Sequence, residues 1–214
     1  MNYSFRKKNK IVKYIIIHYT GMKNLESAYL KLNNFESGVS CHYLISRSGL
    51  IFNLLCPNFK AWHAGKSQWK NIKNLNNYSI GIELENKGHQ FGYNFFTNRQ
   101  YQSLKNLIKF LKKNFYLEDQ NIIFHSDISP NRKKDPGEKF YLEKININRF
   151  KRINLKKKKY SIRDLLKIYG FSNNYIENYR EPCIIAVKRS MNYKKIDNKV
   201  SKKFISDFYN LIFL

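Results

Sequence analysis

The sequence predicts an α/β fold, a mixed central β-sheet flanked by helices, with a small C-terminal three-helix bundle. Three observations carry this. Strand-like and helix-like stretches alternate through residues 14–124, the pattern of helices packed on a sheet. Past Phe150 the pattern turns helical throughout. The 214 residues, 43% hydrophobic and 16% aromatic, suffice for one sizeable unit and a smaller appendage.

Taken in order, the N-terminal MNYSFRKKNKIVKYIIIHYT starts basic but lacks the long apolar core and small-residue cleavage site of an export signal. Tyr14 to His18, YIIIH, is apolar and β-branched, a buried strand with a histidine at its far end. A helix is expected around Ser27–Leu32, then a hairpin over 41–55 in which CHYLIS and LIFNLL flank Arg47-Ser48-Gly49. A loop containing AWHAG (61–65) follows. In SIGIEL, residues 79–84, alternation sets Glu83 on the face opposite Ile82 and Leu84. Thr97 with Gln100 forms a capping-box signal for a helix over 97–115, along which Tyr101, Leu104, Leu107, Ile108, Leu111 and Phe115 share a face. Asn121–Phe124 is a short strand that delivers His125 to its end. The basic KRINLKKKK (151–159) reads as a solvated linker. Ser161 caps a helix stopped by Gly170, Pro182 opens a second, and VSKKFISDFYNLI supplies a third. The expected units are thus 1–150, a linker over 151–159, and 160–214.

Composition narrows the function classes. No run of about 18 uncharged apolar residues occurs, so no segment is expected to span a bilayer. Cys41, Cys56 and Cys183 are odd in number and form no CxxC pair, which argues against a disulfide framework or thiolate zinc knuckle and favours a reducing compartment. The net charge of +25 invites a nucleic-acid reading, for which basic residues must cluster. They do not: residues 151–214 carry 16 Lys+Arg and 5 Asp+Glu, leaving 24 and 10 of the totals 40 and 15 for residues 1–150. The excess runs through both parts, so diffuse attraction to anionic polymers is expected rather than a specific nucleic-acid partner. A monomer is the expected state.

The chemistry concentrates in few residues. His18 and His125 each end a strand, where groups distant in sequence meet, and Asp135 can return to them along the loop HSDISPNRKKDPG. Pro136 biases the backbone before it and Gly137 permits a tight turn after it. Two imidazoles and a carboxylate are a donor set for a catalytic metal with one position left open. Taken singly, each also fits an ordinary structural role. Glu83 adds weight, because an acid in an apolar strand is costly to bury without a partner or a function. Unpartnered, it would carry the raised pKa a general base needs.

The set YIIIHYT, CHYLISRSG, AWHAG, SIGIELEN and HSDISPNRKKDPG, in this order over about residues 11–140, resembles the zinc-dependent N-acetylmuramoyl-L-alanine amidases of the type 2 amidase family, relatives of phage amidase lysozymes and peptidoglycan recognition proteins. The resemblance implies that His18, His125 and Asp135 bind Zn2+. It implies a catalytic Glu83 and, two residues before the ligand aspartate, a catalytic Lys133 that stabilises an oxyanion. The implied substrate is peptidoglycan or a muropeptide, cut at the amide between N-acetylmuramic acid and L-alanine. Glu85 shares a face with Glu83, so alternation cannot choose between them; the motif position selects Glu83. Lys134 is expected to face away if its loop is extended. Trp62 and His63 are expected to line the substrate groove. His42 also occupies a motif position; a structural role is its first reading, and it is carried beside that as a groove residue. His89 has no motif support and reads as surface.

The C-terminal helices resemble a small peptidoglycan-binding domain; a helical appendage that only packs on the catalytic unit is the other reading. The rival function within the resemblance is a recognition protein that binds wall fragments without cutting them. The expected location is the cytoplasm, with the periplasm or cell envelope as the alternative.

Overall fold

The computed structural model describes residues 1–6, 11–150 and 160–213; the expected linker at 151–159 lies outside the described residues. In chain order the strands are β1 (Tyr3–Phe5), β2 (Tyr14–Tyr19), β3 (Tyr43–Ile45), β4 (Ile51–Asn53), β5 (Phe59–Ala61), β6 (Gln68–Trp69), β7 (Ile72–Lys73), β8 (Ser79–Leu84) and β9 (Ile122–Phe124). The α-helices are α1 (Leu25–Asn33), α2 (Gly88–Phe91), α3 (Asn98–Phe115), α4 (His125–Ile128), α5 (Ile162–Tyr169), α6 (Asn173–Asn178), α7 (Arg180–Ser190) and α8 (Lys202–Phe213).

Five strands form the central sheet in the order β4-β3-β8-β2-β9. All neighbours are parallel except the β3–β4 hairpin, so the sheet is mixed as the sequence predicts. Alternation along the central strands sorts their side chains onto two faces. Ile15, Ile17, Ile80, Ile82, Ile122 and Phe124 pack with Leu104, Leu107, Ile108 and Leu111 of α3. Helix α3 is held at its start by the expected capping box of Thr97 and Gln100.

On the opposite face, Tyr14, Ile16 and Ile123 join one apolar cluster with Trp69 and with Leu165, Ile184, Val187, Phe204 and Phe208 of the C-terminal helices. Covering both faces is why these strands read as unbroken apolar runs. Each fully buried isoleucine contributes about 1.5–3 kcal/mol, so the C-terminal helices are held by the sheet's own core. Gly170 ends α5 as expected; at φ +138° its place also leaves no room for a Cβ, which would lie 2.4 Å from the Trp69 ring.

The three expected C-terminal helices are present with a fourth, the six-residue α6, capped by Ser172. It is too short to leave a helical period in the sequence. The same brevity hides the β1–β5 and β6–β7 ribbons, of three and two residue pairs. No helix among the described residues is long and apolar enough to cross a membrane.

What the fold does for function is bring strand ends together. In the parallel register His18 lies beside Glu83, and Ile17 beside Phe124, so His125, next after Phe124, arrives at the same edge as His18.

Candidate active site

At that edge, His18 Nδ1 and His125 Nδ1 lie 2.9 Å apart, and Asp135 Oδ2 lies 3.0 Å from the first and 2.9 Å from the second. All three residues are buried. Around a tetrahedral zinc-type ion with bonds of about 2.0–2.1 Å, neighbouring donors sit about 3.3 Å apart, so the triangle is tighter than such an ion sets but within a small side-chain adjustment of it. Among the described residues this is the one cluster of its kind. The residues that the sequence predicts as ligands, 117 positions apart at the extremes, are the ones that converge.

The loop that returns Asp135 is tied down at several points. Ser126 N–H donates to the Asp135 carbonyl at 3.0 Å, and the Arg132 and Lys133 amides both donate to the Ser129 carbonyl. Tyr93 donates its hydroxyl to the Pro136 carbonyl at 2.6 Å, and a Cβ on Gly137 would sit 2.5 Å from that hydroxyl. Because the loop turns at Ser129 and is not extended, Lys133 and Lys134 both line the cleft over the triangle, which corrects the expectation that Lys134 faces away. The cleft encloses about 480 Å³ and is also bordered by Tyr19, Trp62 and Glu83.

Glu83 reaches the cleft with its Oε2 buried and unpaired. Burial, and next the negative charge of Asp135, push its carboxyl well above the usual range, while Lys133 pulls the other way. Burial also opposes ionisation of Asp135, but His125 and His18 outweigh it and hold the carboxylate below its usual range. His18 falls to about 4, through burial first and then His125, in spite of Asp135; the neutral imidazole is the form that binds metals. Glu85, the rival acid, instead accepts from the Arg47 amide at 2.8 Å, which ties it to the β3–β4 turn.

Trp62 borders the cleft, 39% exposed, where an aromatic face can meet a ligand. His42 does not. It is fully buried, its Nδ1 accepting from Gly81 N–H at 2.9 Å and its Nε2–H donating to the Phe59 carbonyl at 3.1 Å. The expectation of His42 as a groove residue is therefore corrected: with both nitrogens held by backbone, it pins β8 to β5. His63 lies at the cleft floor, 8% exposed, and both its nitrogens are engaged inward, Nδ1 with His18 Nε2 at 2.9 Å and Nε2 with Ser79 Oγ at 3.2 Å. It thus sits at the cleft floor directly behind His18.

His89 also departs from expectation. It borders the cleft, stacks on Tyr93 with centroids 4.4 Å apart, accepts at Nδ1 from the Tyr19 hydroxyl at 2.9 Å and donates from Nε2 to Glu138 at 3.2 Å. Nothing in the sequence near His89 signals a partner 49 residues away.

Comparison with known proteins agrees with this geometry. Residues 7–138 match the family model described as N-acetylmuramoyl-L-alanine amidase. Over 141 residues the chain is 36% identical to the Escherichia coli N-acetylmuramoyl-L-alanine amidase AmiD, covering 60% of this chain and 50% of that one. It is 40% identical to the Haemophilus influenzae 1,6-anhydro-N-acetylmuramyl-L-alanine amidase AmpD, over 51% of this chain and 58% of that one. The chain thus spans about half the length of the curated relatives it matches. The E. coli AmiD structure, in complex with the substrate anhydro-N-acetylmuramic acid-L-Ala-D-gamma-Glu-L-Lys, superposes with a TM-score of 0.78 at 25% identity, covering 96% of this chain and 91% of that chain.

Proposed function

We propose, since the chain belongs to the N-acetylmuramoyl-L-alanine amidase family, that it hydrolyses the amide joining N-acetylmuramic acid to L-alanine in peptidoglycan or muropeptides, with zinc held by His18, His125 and Asp135. One observation carries the proposal: a buried two-histidine, one-carboxylate triangle lies at a cleft that also holds Glu83, whose Oε2 is buried without a hydrogen-bond partner. The muropeptide bound to the similar E. coli enzyme supports the substrate class.

Zinc in that triangle supplies Lewis acidity toward water and the scissile carbonyl. The chain's own groups do the rest. Glu83, poised with a raised pKa, takes the proton from the attacking water and returns it to the departing alanine nitrogen. Lys133, on the cleft wall, offers its ammonium to the carbonyl oxygen as negative charge builds there. Trp62 presents an aromatic face to the sugar or the stem peptide.

The test is direct. Protein loaded with zinc is expected to release a peptide with a free L-alanine amino terminus and leave the sugar intact; a chelator abolishes the release and added zinc restores it. Unchanged muropeptide under these conditions, with binding retained, makes the chain a recognition protein. Lys133→Ala is expected to lower kcat by about 10²–10³-fold with zinc content unaltered, as read by atomic absorption beside the rate assay.

A further inference from the structure

Behind His18 runs a chain of hydrogen bonds whose direction is fixed from its far end. The Ser79 hydroxyl lies 2.6 Å from the Leu75 carbonyl and must donate its one proton there. Its oxygen, 3.2 Å from His63 Nε2, therefore accepts from His63 Nε2–H. A neutral His63 with its proton on Nε2 has a bare Nδ1, so at 2.9 Å it accepts from His18 Nε2–H. That places the His18 proton on Nε2 and leaves Nδ1, the atom facing His125 and Asp135, with an open lone pair.

The position of His63 is built for this. A Cβ on residue 81 would lie 2.5 Å from the His63 ring, so the glycine in SIGIEL is what lets the imidazole approach β8 this closely. Asn76 Oδ1 accepts from the backbone amides of His63 and Ala64 at 3.1 and 2.7 Å and holds the loop in register. His125 has no such backing: its Nε2 is buried without a partner.

We propose that His63, oriented by Ser79, is a positioning residue that fixes His18 in the Nε2–H tautomer and so prepares Nδ1 for the metal. The inference rests on the zinc reading above, but its first consequence needs no metal. Outer partners of metal-bound histidines commonly set affinity by about 10–100-fold, and here the partner is a second histidine rather than a carboxylate or backbone carbonyl.

The test has two arms. Long-range 1H–15N NMR of the metal-free protein is expected to show His18 as the Nε2–H tautomer in the unaltered chain and as a mixture in His63→Leu. Zinc affinity, read by chelator competition, is expected to fall about 10–100-fold in His63→Leu. It should be largely kept in His63→Gln, whose amide oxygen can accept from His18 while its NH2 donates to Ser79. If His63→Leu does not fold, Ser79→Ala serves instead, since it removes the acceptor that orients His63; its zinc affinity is expected to fall and its His18 spectrum to show both tautomers. An unaltered protein with His18 protonated on Nδ1, or a His63→Leu or Ser79→Ala protein that holds zinc as tightly as the unaltered one, overturns the proposal. An unaltered protein that binds no zinc while showing the Nε2–H tautomer overturns the metal reading and leaves the tautomer assignment standing.

Discussion

Glu83→Gln is expected to lower kcat by about 10²–10⁴-fold, the range for losing a general base, with zinc content unchanged. Glutamine keeps the shape and loses the ability to accept a proton. The same substitution should raise the stability of the metal-free protein at neutral pH. The folded state holds the Glu83 carboxyl well above its usual pKa, so Glu83 favours folding only while protonated, and that contribution is lost as pH rises through the raised folded value. The amide has no charge to bury. The stability difference between the two proteins should therefore shrink on acidification, in urea titrations run across pH. In the unaltered enzyme, turnover should rise along an acid limb as Glu83 loses its proton, and that limb should be missing from the residual activity of Glu83→Gln. A variant that keeps full turnover would remove Glu83 from the chemistry.

That function and stability oppose one another at residue 83 explains why the sequence exposed it. An acid inside an apolar strand breaks a local rule, and such breaks concentrate at functional sites. His18 and His125 were legible for a related reason: each closes a β-branched apolar run, and parallel strands in one sheet end along one edge. Helix α3 was legible because it is long enough for its period to show and carries a capping box at its start.

Other features lay beyond local pattern. Nothing in SIGIELEN says that the Arg47 amide captures Glu85 and leaves Glu83 free for the cleft. His42 and His63 both sit in motif positions, and only the packing of β8 shows that one pins backbone and the other backs His18. The unbroken apolar runs of β2 and β9 imply that both faces of the sheet are covered; they do not name the cover, which comes from helices more than 30 residues further on.

That cover makes a second large effect. Arg149→Met is expected to cost about 3–5 kcal/mol of unfolding free energy, the usual result of stripping one partner from a buried ion pair. Arg149 and Asp127 are both buried, and their side chains form a salt bridge. Burial alone would lower the Arg149 pKa, but Asp127 and Tyr169 raise it, so the guanidinium stays charged. It also lies 4.3 Å from the Phe124 ring centroid and donates to Ser190 Oγ of α7 at 3.1 Å. Asp127 meanwhile accepts from the Phe124 amide at 2.8 Å and from the Tyr169 hydroxyl of α5 at 2.8 Å. One carboxylate, two residues beyond His125, thus joins the turn α4 to the C-terminal helices. Methionine keeps much of the arginine stem's apolar contact, which isolates the loss of charge as the cause. Tyr169→Phe, which removes a single bond to the same carboxylate, should cost less, about 1–3 kcal/mol. Because the C-terminal helices and the sheet share one apolar cluster, both variants should unfold in a single urea transition, with tryptophan fluorescence and far-UV circular dichroism coincident. Two separate transitions, with the later midpoint unmoved by Arg149→Met, would mean that the helices are an independent appendage and that this ion pair does not brace the turn bearing His125.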